Sequence, residues 1–358
     1  MNRKSQKLAF IVIVLTGMLT ITPMVAAATR RTYLTNYILA QQVENNGFGD
    51  SPEETLRSLE ILNDCGILSG MSTQILQSHL QNQIQIKFDD NNMDVYDLYY
   101  LLKSLDLLIS GELVNSSLKL VILNFLDGTN QTGGGFSPIN NTGNPSITST
   151  YFAIQAYDMI DDTLDINDIH KNWTLNCRNG ADGGYGGNAS LPSSLTSTYF
   201  AISILDALEA TNEIVNVSDT INYLKSFYVS ETSDQYNYGG YLPDADAKYA
   251  ILSSTYYCIY SLNILSPTEL NGGPTCNWVY SLQNIKDGGF ADRSSSDILK
   301  DSTIPCSYYA FKIITVLGGN LDVQIWMVEF NWIILIIVLS LVGILIIIGL
   351  FFWKKRRI

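Results

Sequence analysis

The residues of this chain that could do chemistry are few: two histidines, five cysteines and some paired carboxylates. A tetrahedral zinc site takes three protein ligands and an open position. His79 and His170 stand alone, and Cys65, Cys177, Cys258, Cys276 and Cys306 follow no zinc spacing, so neither a metal nor another cofactor is expected. Asp244-Ala245-Asp246 sets two carboxylates side by side. Burial and a like-charged neighbour can hold a proton on such a pair, which makes Asp244 and Asp246 the candidate general acid. Their place in a polar loop behind Gly239-Gly240-Tyr241 suits a solvated pair equally. Asp161, Asp162, Asp165 and Asp168 cluster without the glycine and spacing of a calcium loop. No Ser-His-Asp or Cys-His arrangement is visible. Sugar cleavage needs two placed carboxylates, and the many acids leave that class open.

The other candidates are aromatic. Tyr151-Phe152, Tyr199-Phe200, Tyr256-Tyr257 and Tyr308-Tyr309 each open an apolar run. They are either core, or the lining of an apolar pocket with hydroxyl tips that suits an isoprenoid or a partner's apolar segment.

What positions these pairs is a repeat. Asp182-Gly183-Gly184-Tyr185-Gly186 before Thr198-Tyr199-Phe200 returns as Gly134-Gly135-Phe136 before Thr150-Tyr151-Phe152, and as Gly239-Gly240-Tyr241 before Thr255-Tyr256-Tyr257. It returns again as Asp287-Gly288-Gly289-Phe290 before Ser307-Tyr308-Tyr309, with worn copies at Asn46-Gly47-Phe48-Gly49 and around Phe88. The aromatics at 48, 88, 136, 185, 241 and 290 define six units. Each unit reads as two helices, and the glycines supply the turn. Gly47, Gly134, Gly135, Gly183, Gly184, Gly239, Gly240, Gly288 and Gly289 are therefore expected to be structural. The second helices (from Tyr151, Tyr199, Tyr256 and Ile304) are apolar all round and must be buried, whereas the first helices are amphipathic. Ser149, Ser197 and Ser254 are placed as N-caps, with Cys306 in the corresponding position. An inner ring of buried helices inside an outer ring fits both patterns, and terminal units no more polar than the middle ones favour a closed ring over an open solenoid.

Leu282-Gln283-Asn284 with Asp287-Gly288-Gly289-Phe290 and Tyr308-Tyr309-Ala310, and Cys177-Arg178-Asn179 with Asp182-Gly183-Gly184-Tyr185-Gly186, resemble the repeat of protein prenyltransferase β-subunits and squalene (triterpene) cyclases. The resemblance covers roughly 33 to 320. It implies an all-α fold, an α/α toroid or (α/α)6 barrel of six helical hairpins whose inner helices line a central cavity. It also implies zinc bound by Asp, Cys and His in the transferases, but the corresponding positions here fall near Ser253, Thr255 and Pro305, none of which can replace its ligand. The Asp-X-Asp-Asp run of the cyclases is approached only by Asp244 and Asp246. Thioester domains, which share the toroid, carry Cys-Gly-Glu-Gln, and Cys65-Gly66-Ile67-Leu68 departs from it after two residues. The expectation is thus a binding or scaffold module for an apolar ligand, a surface polymer or a protein partner. The alternative is a membrane-tethered isoprenoid cyclase or transferase, or a carbohydrate-active enzyme.

Both ends of the chain speak of a membrane. Arg3, Lys4 and Lys7, an apolar run from Leu8 to Leu19 and Ala26-Ala27-Ala28 read as a signal peptide over 1–28. The stretch 332–353 has no charge and, at about 1.5 Å per residue, is long enough to span a hydrocarbon core of about 30 Å. Lys354-Lys355-Arg356-Arg357 follows and belongs in the cytoplasm. This predicts a single-pass protein of the cell membrane: a toroid over 33–320 outside, a linker over 321–331, and a cytoplasmic basic tail over 354–358. The external part carries 14 basic residues against 34 acidic ones, which disfavours nucleic acid as a partner. An odd cysteine count leaves at least one thiol unpaired within the chain. Asn115, Asn130, Asn140, Asn172, Asn188 and Asn216 begin glycosylation triplets.

Overall fold

In the computed structural model of the protein, residues 28–325 are described, apart from 45, 110, 141–142, 161–167 and 296–297. The chain divides into two units: 29–323, and 1–28 with 324–358, of which only Ala28, Gln324 and Ile325 are described. The apolar run 332–353 and most of the leader therefore lie outside the described residues. Among the described residues no helix is long and apolar enough to cross a membrane.

Twelve α-helices among the described residues form six pairs. They are α1 Arg30–Ala40 with α2 Pro52–Asp64, α3 Gln74–Asp89 with α4 Val95–Leu108, and α5 Ser116–Thr129 with α6 Ile147–Ile160. Then come α7 Asp168–Asn176 with α8 Leu195–Ala207, α9 Val217–Lys225 with α10 Leu252–Leu265, and α11 Gly272–Tyr280 with α12 Ile304–Val316. The even-numbered helices, apolar on most of their faces except for the amphipathic α2, pack in sequence, α2 on α4, α4 on α6, α6 on α8, α8 on α10 and α10 on α12. Helix α12 returns to α2, so the ring closes. The odd-numbered helices stand outside it. Side chains such as Leu59, Leu102, Ala153, Ile202, Ile259 and Ile313 are fully buried in the inner ring. Each large aliphatic side chain so placed contributes about 1.5–3 kcal/mol. A small antiparallel pair, β1 Arg293–Ser295 with β2 Ile298–Leu299, interrupts the all-helical pattern in the loop before α12.

One hydrogen bond recurs at the start of five inner helices. The N–H of the turn aromatic donates to a hydroxyl in the first turn of the helix that follows. The pairs are Phe48 to Thr55 (3.1 Å), Phe136 to Thr150 (2.9 Å), Tyr185 to Thr198 (2.9 Å), Tyr241 to Thr255 (3.0 Å) and Phe290 to Ser307 (3.0 Å). All five aromatics are buried, so this bond satisfies a donor that no water can reach.

The structure shifts three of the expected assignments. The caps lie one turn upstream: Ser146, Ser194 and Thr303 accept the N–H groups of Ser149, Ser197 and Cys306, while α10 has at its cap position Ile251, which cannot cap, and borrows the Asp292 carboxylate for the Leu252 N–H (2.8 Å). Each of these helices begins four residues before its aromatic pair, at the buried Ile147, Leu195, Leu252 and Ile304. Phe88 is not a turn aromatic but lies in the last turn of α3, which runs to Asp89. In the first unit the left-handed residues are Asn46 and Gly49 rather than Gly47.

His170, on α7, is buried against Phe136, ring on ring at 4.5 Å, and its Nδ1 accepts the Gly135 N–H at 3.0 Å. Burial pulls its pKa from the ordinary 6.5 down to about 4. Above pH 6.5 folded and unfolded chains both hold a neutral ring, and nothing is lost. As the pH falls from 6.5 towards 4 only the unfolded chain takes the proton, so stability drops; below 4 the loss stops growing. Urea unfolding should therefore show about 2 kcal/mol less stability at about pH 5 than at about pH 8. His170→Gln, which can still accept the Gly135 N–H, should lack that increment. Equal pH slopes in the two proteins would refute it.

Candidate functional site

The hydroxyl that receives each turn aromatic sets a register for the inner helices. The two residues after it are Leu56-Arg57 on α2, Tyr151-Phe152 on α6, Tyr199-Phe200 on α8, Tyr256-Tyr257 on α10 and Tyr308-Tyr309 on α12. Tyr99-Tyr100 occupies the same offset on α4. All six pairs, with Glu60, surround one cavity at the centre of the ring. The eight aromatics expected to form a lining are therefore brought together.

They nearly fill it. Tyr99 meets Phe152 at 5.1 Å between centroids, Tyr151 meets Phe200 at 5.0 Å, Tyr199 stacks on Tyr257 at 5.1 Å, and Tyr257 meets Tyr309 at 6.0 Å. Such pairs contribute about 0.5–1.5 kcal/mol each beyond burial. The cavity they leave is about 80 Å3. The phenols are linked to one another, Tyr199 to Tyr256 at 3.1 Å and Tyr257 to Tyr309 at 3.4 Å. Burial pushes the pKa values of Tyr151, Tyr199, Tyr256 and Tyr308 upward, so these rings keep their protons.

Two cations enter this aromatic ring, both at the seam where α12 meets α2. The Arg57 guanidinium lies over the Tyr309 ring at 4.5 Å, donates to its hydroxyl at 2.8 Å and pairs with Glu53, which also accepts from the Tyr100 hydroxyl at 3.1 Å. One turn along, Lys312 Nζ lies 3.1 Å from Glu60 and 3.0 Å from Asp64. Burial lowers the pKa of both cations, but Tyr309 and Glu53 around Arg57, and Glu60 and Asp64 around Lys312, outweigh it and leave both raised.

The other candidates fall elsewhere. Asp244 and Asp246 are exposed, and Asp244 accepts the Asp246 N–H at 2.9 Å in a local turn. They do not line the central cavity. Burial, with a neighbouring carboxylate, was the condition for a general acid here, and it is not met. Ser253 and Thr255 lie in the first turn of α10 and Pro305 in that of α12. Thr255 is occupied by the Tyr241 N–H and the Ile251 carbonyl. Nearby, Cys306 Sγ stands 3.8 Å from Asp292, but among the described residues no three His, Cys, Asp or Glu side chains come together around a metal position. Among the described residues, then, Ser253, Thr255 and Pro305 offer the zinc that the resemblance implies no Asp, Cys or His donor. All five cysteines are free thiols. The triplet asparagines lie at the surface, with Asn188 half-buried and bonded to Ser190. Arg57, Glu60, Tyr99 and Tyr100 were not expected at the site. They become visible once the helices are aligned on the hydroxyl rather than on the glycine pair, which α3–α4 lacks.

A family model described as the prenyltransferase alpha-alpha toroid domain matches residues 70–172, 165–248 and 243–333. A search of curated proteins returned no match. Among solved structures the chain is similar to Candida albicans protein geranylgeranyltransferase-I complexed with GGPP, with a TM-score of 0.60 and 18% identity over 75% of this chain and 84% of that one. At that identity the likeness speaks for the fold.

Proposed function

This chain belongs to the prenyltransferase alpha-alpha toroid family, and from that premise we propose that it is a binding module of the family: a toroid held outside the cell by the apolar run 332–353, engaging a protein partner through its aromatic mouth without the zinc chemistry of the transferases. The observation that carries the proposal is the size of the centre. Pockets that hold small organic ligands measure about 300–1,000 Å3, and the central cavity measures about 80 Å3. That is room for the tip of an inserted side chain, not for a long isoprenoid. The tyrosine hydroxyls and the Arg57–Glu53 pair give such a tip a polar collar. The charge-free run and the basic cluster after it support the anchor and its orientation.

The test has two arms. Calorimetric titration of the detergent-purified chain with geranylgeranyl diphosphate, with and without zinc, should give no saturable heat. On intact cells an antibody should reach a tag at the C-terminus only after permeabilisation. Micromolar binding of the diphosphate would overturn the binding-module proposal, and a C-terminal tag accessible on intact cells would overturn the topology.

A further inference from the structure

At four seams of the ring, the second glycine of one hairpin's turn sits on an aromatic side chain of the next outer helix: Gly135 on Trp173, Gly184 on Tyr223, Gly240 on Trp278 and Gly289 on Tyr37. The bridges that open the turns (Asn130 with Phe136, Arg178 with Tyr185, Tyr228 with Tyr241, Gln283 with Phe290, Gln42 with Phe48) put the outer helices in one register. Five residues before the bridge stand Trp173, Tyr223, Trp278, Tyr37 and, on α5, Phe125. Helix α5 therefore carries the aromatic platform. The second hairpin sends no glycine turn over it, because α3 passes into α4 without one, and Phe88 at the end of α3 covers the Phe125 ring instead. What remains is a groove of about 820 Å3 between α3 and α5, far larger than the cavity at the centre.

The lining has a definite chemistry. Half-buried Phe88 lies on its floor, edge-on at 5.5 Å over the buried Phe125, and the exposed carboxamides of Gln85, Asn91, Asn92 and Asn124 stand on its rim. Among the described residues no lysine or arginine lines it, while the Asp89 and Asp94 carboxylates do, which removes an anionic ligand. A rim of carboxamides, each offering donors and acceptors, removes an acyl chain. A ring with apolar C–H faces and hydroxyl edges matches both parts. We propose that this groove is a binding site for a neutral oligosaccharide, one sugar face against the half-buried Phe88 and the hydroxyls on the four carboxamides and the Asp89 and Asp94 carboxylates.

The proposal is tested by saturation-transfer NMR on the full chain in detergent, with chitotriose, maltotriose and mannotriose as probes. N-linked glycans are removed first, because Asn140 borders the groove. At least one trisaccharide should show transfer, and Asn92→Ala with Asn124→Ala should weaken its binding about tenfold or more. Both side chains are exposed, so unchanged thermal unfolding is expected in that variant. Val121→Trp, at a position 40% exposed on the groove wall, should block binding by filling space instead. Transfer from none of the three probes would overturn the assignment. So would transfer unchanged in both variants, or displacement of the sugar by a random hexapeptide pool.

Discussion

Gly288→Ala is expected to destabilise the toroid by about 3 kcal/mol, read as a lowered urea midpoint at an unchanged slope. Gly288 has φ +89°, where a side chain is strained by about 1–2 kcal/mol. A Cβ there would also stand 2.6 Å from the Tyr33 carbonyl oxygen. The neighbour is backbone and cannot swing away, so overpacking adds to the strain. The contact matters for a further reason: Gly288 belongs to the last hairpin and Tyr33 to the first outer helix, so the methyl would be driven into the closure of the ring. Gly273→Ala is the control, because nothing lies within 4 Å of its Cβ position, and it should change stability by less than about 0.5 kcal/mol. Equal small effects at the two sites would mean that the last turn does not seat on α1 as described.

The same contacts explain what could be read from the sequence. The glycine pairs and turn aromatics are visible because two demands meet in them, a backbone conformation that only glycine adopts freely and a ring that must be buried. Gly183, with φ +82° and a Cβ position 2.5 Å from the Asp219 backbone, shows the first, and the fully buried Tyr185 beside it the second. The inner ring followed from helices such as α8 that are apolar on nearly every side, and its closure from terminal units no more polar than the middle ones. Helix starts were less legible. Ser197 and Ser149 look like caps, yet the capping oxygen belongs to the serine three residues earlier, because serine serves equally as cap or in the first turn.

The candidate site was half legible. The tyrosine and phenylalanine pairs advertise themselves, but whether eight rings enclose a pocket or fill it depends on the radius of the ring, which no residue pattern states. Tyr99 and Tyr100 were hidden because their hairpin lacks the glycine turn that marks the others, and that same omission opens the groove against Phe125. Arg57 was hidden for a different reason. It breaks the aromatic pattern, and a lone arginine on an amphipathic helix looks like a surface residue until its offset is counted.

Arg57 is where the second large effect is expected. Arg57→Met keeps much of the side-chain volume but removes the charge facing Glu53 and the stack on Tyr309. Removing one partner of a buried pair costs about 3–5 kcal/mol; Glu53 is 37% exposed and can regain some water, so about 3 kcal/mol is the expectation. The double variant Arg57→Met with Glu53→Gln discriminates the cause. If the loss comes from a stranded carboxylate, the second substitution returns part of it, and the cycle shows a coupling above about 1 kcal/mol. Strict additivity would place the loss in the Tyr309 stack instead. A double variant as stable as the parent would carry the argument further. Desolvating two charges and pairing them often yields little net stability, so an ion pair that the fold does not need, set at the one position where the other five inner helices place an aromatic, would be there for what enters the mouth.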